Sequence, residues 1–137
     1  MLPPMSPRGS KPFNLRERTA IFAREIVAAA QFLHRRSPIG RELSLQILKA
    51  GTSVGSNVEE ADGASSRKDF VAKMRIALKE AKETRFRLKT CRASNLLDRR
   101  FDGLIDESDQ LVRIIATIVH NTIRGGVDDR NAQDSEP

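Results

Sequence analysis

Ser53, Ser56, Asn57 and Glu60 lie within eight consecutive residues, and Glu83 follows further along the chain. Hydroxyl, amide and carboxylate groups at this spacing can bind a polar ligand or brace one helix against another. On a helix, Val54, Asn57 and Ala61 share a face with Leu43, Ile47 and Ala50, which carries the polar groups into a core or to its edge. Buried amides and carboxylates are costly without partners. The cluster holds no nucleophile with a base beside it, which argues against catalysis and for bracing. In that role Asn57 and Glu60 cap or cross-brace two helices, fixing register as a buried polar group can.

A second set of residues could bind anions. Between Arg67 and Arg92 stand ten Lys and Arg against Asp69, Glu80 and Glu83, a net charge of +7 where the whole chain carries +6. Lys68, Arg75, Lys79, Lys82 and Lys89 recur at three-, four- and seven-residue steps, a broad outward face on a helix, and Arg85 joins them as a candidate contact. Phosphate backbones need such a stripe, and each contact displaces condensed counterions. The same pattern also describes a solvated face with local Lys–Glu pairs. No groove-reading motif accompanies it, so base-specific reading is not expected.

Four amphipathic helices must position these groups. The first spans about Asn14 to Arg36, with Asn14 as N-cap and Glu17 completing a capping-box pattern. Its stripe is Leu15, Thr19, Phe22, Ile26, Ala29 and Leu33, and Ser37-Pro38 ends it. The second starts near Ile39 to Arg41 and reaches about Glu60. Gly51 and Gly55 within it predict a close helix crossing or a bend, and Gly63 is available for a left-handed cap. Ser66, with Asp69, caps a third helix whose stripe is Phe70, Met74, Ala77, Ala81, Thr84, Leu88 and Cys91. The fourth, after Ser94-Asn95, carries Leu97, Phe101, Leu104, Ser108, Leu111, Ile115, Ile118 and Thr122, and Gly125-Gly126 is expected to end it. Leu45/Leu48 and Ile105/Val112/Val119 form further apolar rows, suited to subunit packing or to burial inside a lone bundle.

The short connections predict an all-α, antiparallel up-down-up-down four-helix bundle over residues 13–125. Residues 1–12, rich in Pro, read as a disordered lead-in whose Arg8 and Lys11 could touch an anionic surface; residues 126–137 read as a polar, acidic tail.

Composition narrows the function classes. The absence of Trp and Tyr and a count of six Phe argue against stacking-based RRM or OB-type readers. A sequence pI of about 10.1 favours an anionic partner such as RNA or DNA. A single Cys excludes an internal disulfide and a multi-Cys zinc site, and Cys91 reads as a small buried hydrophobe. His34 and His120 are placed in final helical turns, where they suit the helix dipole, and metal binding would need more ligands brought together by folding. No P-loop, dinucleotide fingerprint or metalloprotease helix is present. No apolar run suggests a membrane span and no secretory signal is seen, so a cytoplasmic protein without cofactors is expected.

The run Gln46-Ile47-Leu48-Lys49-Ala50, followed by Ser53-Val54-Gly55-Ser56-Asn57-Val58-Glu59-Glu60, resembles the signature of the bacterial four-helix-bundle family, also called the large-subunit ribosomal RNA intervening-sequence protein family. That pattern is Gln-Leu-x-x-Ala, then Ser-Ile-Pro-Ser-Asn-Ile-Ala-Glu-Gly. Ser66-x-Lys68-Asp69-Phe70, Ile76-Ala77 and Glu83 match the family's third helix. Gly55, Glu59 and Ala61 depart from it, as does Lys79-Glu80 in place of Gly-Ser. The resemblance implies a bundle that assembles as a homopentameric ring without enzymatic activity. It also implies distant kinship with basic accessory proteins of retroelements, which work with a reverse transcriptase and nucleic acid. The expectation is therefore a non-enzymatic homo-oligomer binding RNA or DNA through its basic face, as an accessory to a nucleic-acid enzyme. The alternative is a protein-interaction scaffold whose charge serves solubility.

Overall fold

The computed structural model describes residues 14–134, with side chains through residue 126. The lead-in with Arg8 and Lys11, and the last three residues, lie outside the described residues. Helices α1 (Leu15–Arg36), α2 (Pro38–Asp62), α3 (Arg67–Ala93) and α4 (Asp102–Asp134) follow one another, with a short 3-10 turn, Arg99–Phe101, before the last. Consecutive helices pack side by side and antiparallel, which makes the expected four-helix bundle.

Each helix start has a physical cause. The Asn14 side chain accepts from the Glu17 amide, and Ser66 accepts from the Asp69 amide, both at 3.0–3.1 Å. Ser37 both closes α1 in an extended conformation and caps α2, where Pro38 takes a first-turn position that lacks nothing by having no N–H.

The apolar stripes meet inside. Phe22, Ile26, Leu33, Ile47, Val54, Met74, Leu88, Leu111 and Ile115 are essentially inaccessible to solvent. Thr19, Thr84 and Ser108 are also buried, and each hydroxyl donates to a carbonyl of its own helix, which removes the cost of a bare polar group. Ile105, Val112 and Val119 are buried within the single chain, so this row serves the internal core. Leu45 is 63% exposed.

Glycines set the α1–α2 approach. A Cβ on Gly51 would sit 2.7 Å from Ile26 side-chain carbons, and one on Gly55 would lie 3.2 Å from the Thr19 carbonyl oxygen. The expected close crossing is therefore present.

Three local expectations are corrected. Gly63 has φ −96° rather than a left-handed value, since its amide returns to the Glu60 carbonyl without one; the left-handed residue is Asn95, at φ 61°, after α3. Leu97 and Phe101 precede α4: Leu97 reaches the core from the loop, and the Phe101 ring packs on Phe32 at 5.1 Å. Gly125-Gly126 does not end α4, which continues to Asp134. Two glycines cost a helix roughly 1 kcal/mol each relative to Ala, a penalty that lowers propensity without forbidding the conformation. His120 consequently sits inside α4 and not in its final turn.

Candidate nucleic-acid interface

Helix α3 has two opposed faces because its apolar residues recur at helical spacing and its cations fill the steps between. Met74, Ala77, Ala81, Thr84, Leu88 and Cys91 are buried against α2 and α4. Burial pushes the Cys91 thiol up from its ordinary value, away from the nucleophilic thiolate. Lys68, Arg75, Lys79 and Lys82 are exposed and make no ion pair among the described residues.

Five further α3 cations are tied to residues outside the helix. Arg85 and Lys89 both reach Asp109 of α4, at 3.6 and 3.1 Å. Arg92 donates to Asp102 at 2.8 Å, a bond that holds its guanidinium pKa above the ordinary value. Toward α2, Lys73 lies 3.8 Å from Glu60, and Arg87 donates to Gln46. The flanks of α3 are thus stitched down on both sides, while its outermost row stays exposed, with Lys79 near enough to Glu80 and Glu83 to feel their charge. Asp109 was not anticipated, because its partners stand on another helix.

One residue of this row was missed in the sequence. Phe86 is 70% exposed, and it falls four residues after Lys82 and three before Lys89. That spacing was the available signal: Lys68, Arg75, Lys79, Lys82, Phe86 and Lys89 are successive steps of one helical stripe. Lys82, Arg85, Phe86, Lys89, Thr90 and Ala93 line a shallow depression of about 610 Å³.

The polar cluster is arranged differently. Asn57 is buried, but its amide donates to the Ser53 carbonyl of its own helix at 2.8 Å. Ser53 donates to the Lys49 carbonyl and Ser56 to the Ser53 carbonyl, so all three serve the α2 backbone. Glu60 is exposed and faces Lys73 of α3. Glu83 accepts from Arg87, one turn further along α3, which also donates to Gln46 of α2. Glu83 lies ten residues beyond Lys73, the α3 neighbour of Glu60, about 15 Å along the helix, so Glu83 and Glu60 stand at different levels.

Arg87 holds the Glu83 carboxyl below its usual range, whereas burial first and Glu83 second push Glu80 up. Glu59, the motif departure, receives paired hydrogen bonds from Arg16 of α1 at 2.8 and 3.0 Å. With Arg16, Thr19, Ala20, Ala23, Gly55 and Ser56 it lines an open groove of about 490 Å³ between α1 and α2. Among the described residues no group of three or more His, Cys, Asp or Glu is placed to hold a metal ion. No described helix is long and apolar enough to cross a membrane.

The fold and this face define a four-helix bundle that presents one cationic helix to solvent. The model of the 23S rRNA-intervening sequence protein family matches residues 13–117, and the chain belongs to that family. A solved structure from Bacteroides thetaiotaomicron VPI-5482, described as a protein with unknown function from the S23 ribosomal protein family, is 32% identical. The match covers 77% of this chain and 98% of that one, with a TM-score of 0.71. No curated protein matches the chain.

Proposed function

We propose that this protein is a non-enzymatic homo-oligomer, a pentamer by family resemblance, that binds RNA or DNA through the outer face of α3 as accessory to a nucleic-acid enzyme. The observation that carries the reading is the row Lys68, Arg75, Lys79 and Lys82, exposed and without an ion pair among the described residues. Arg85 and Lys89 extend the row, held in place by Asp109. Fixed cations on a rigid helix suit a phosphate backbone, which is recognised by charge and spacing without reference to sequence. Exposed Ile39 and Leu45, 66% and 63% accessible, supply apolar surface for self-association. In an oligomer the basic face is repeated, and weak contacts then add by multivalency.

Titration against structured RNA and duplex DNA at two salt concentrations tests this, with mass from light scattering on the same sample. Binding should weaken steeply with salt. Replacing Lys68, Arg75, Lys79, Lys82 and Lys89 with Gln should abolish it while leaving the mass unchanged, and each single replacement should flatten the salt slope by about one unit. No binding to either polymer at low salt would reject the reading in favour of a protein scaffold.

A further inference from the structure

Resting on that reading, we propose that the basic face prefers single-stranded nucleic acid, with Phe86 as the platform on which an unpaired base stacks. A lone exposed apolar side chain is ordinary on a protein surface. Phe86 differs in its surroundings. It is the most exposed of the large apolar side chains in the described residues, at 70%, and it occupies a step of the cationic stripe itself. Lys82 stands one turn before it and Lys89 one turn after, with Arg85 beside it in sequence, and all four line the same depression.

Lys82 and Lys89 are about 10 Å apart along the axis, so a strand lying on the stripe meets a cation on either side of the ring. The ring's neighbours are also pre-positioned, since Arg85 and Lys89 are both drawn to Asp109. Positive charge that tracks a backbone, joined to an aromatic face, is the chemistry that holds single strands. A duplex keeps its bases stacked inside and can use only the cations. The cationic surround equally disfavours an apolar protein segment as occupant, because docking it would strip water from three charges.

The test compares a fluorescein-labelled oligo(dT) or oligo(U) with a labelled duplex of equal length, by anisotropy at low salt. Phe86→Ala should lose about tenfold or more in single-strand affinity and change duplex affinity less than twofold. Phe86→Trp should retain single-strand binding, and its indole, unique in a chain without Trp, should be quenched as the strand is added. Equal losses on both polymers, or no loss on the single strand, overturn the stacking role while leaving the phosphate-binding reading intact. Absence of any binding by the unmodified protein overturns both. A changed mass for Phe86→Ala in light scattering assigns the ring to a protein contact and also overturns the inference.

Discussion

Helix α1 makes two seams of opposite character. Against α2 it meets glycines: Gly40, Gly51 and Gly55 all stand where a Cβ would collide with or press on α1 atoms. Against α4 it meets charge: Arg18 is bonded to Glu107 and donates to Gln110 at 3.1 Å, and Glu25 lies close enough to feel Glu107. The buried part of the first seam is defined by shape, the ion pairs of Arg16 with Glu59 and Asp62 being exposed, and the second seam by electrostatics. A shape-defined seam should respond to added volume and ignore salt. A charge-defined seam should tolerate volume and respond to salt and pH.

The largest expected effect tests the glycine seam. A Cβ at Gly40 would fall well inside contact distance of the Leu33 carbonyl oxygen, which is backbone and cannot rotate away. Gly40→Ala should therefore force the α1–α2 hairpin apart. Overpacking of this kind costs up to about 3 kcal/mol, and the better helix propensity of Ala returns up to about 1 kcal/mol. A net loss of about 2 kcal/mol is expected in urea denaturation, equal at low and high salt. A neutral result would mean that the close approach contributes nothing.

Arg18→Gln comes next and tests the charged seam. Both partners are largely buried, with side chains 29% and 24% exposed, so the pair is screened less than a surface bridge. Its removal leaves Glu107 facing Glu25 without a countercharge. The expected loss is about 1 kcal/mol at low salt, shrinking in 1 M salt. A loss independent of salt would show that packing of the arginine stem, not charge, holds this seam.

The same division explains what could be read from the sequence. Helical stripes are local, so Leu15 through Leu33, Met74 through Cys91 and the caps at Asn14 and Ser66 were legible from spacing alone. The glycine crossing was legible because Gly51 and Gly55 recur one turn apart within a buried stripe. Partnerships across helices were not: nothing near Lys89 in sequence points to Asp109, nor near Arg87 to Gln46. The placing of Glu83 relative to Glu60 was not legible for the same reason, since only the antiparallel register of α2 and α3 sets their levels. Leu97 was misplaced because burial from a loop leaves no periodic trace.

Glu25 offers the finest test of the charged seam. Partial loss of hydration pushes its carboxyl pKa up, and the neighbouring Glu107 adds to the rise. A raised folded-state pKa means that the folded protein holds this proton more tightly than the unfolded chain. The associated stability is full below the unfolded pKa, roughly pH 4, and is lost as pH rises through the folded value. At pH 7 the native protein therefore carries the penalty, and Glu25→Gln should be the more stable. The gain is expected to be about 0.3 kcal/mol, because Glu25 remains exposed and water screens it. At pH 3 native Glu25 is protonated and the two proteins should melt alike. The substitution should gain more in the Arg18→Gln background, where Glu107 has lost its countercharge and repels Glu25 more strongly. A double-mutant cycle reads that coupling directly. Strict additivity would separate Glu25 from the seam and leave Arg18 and Glu107 as an isolated pair.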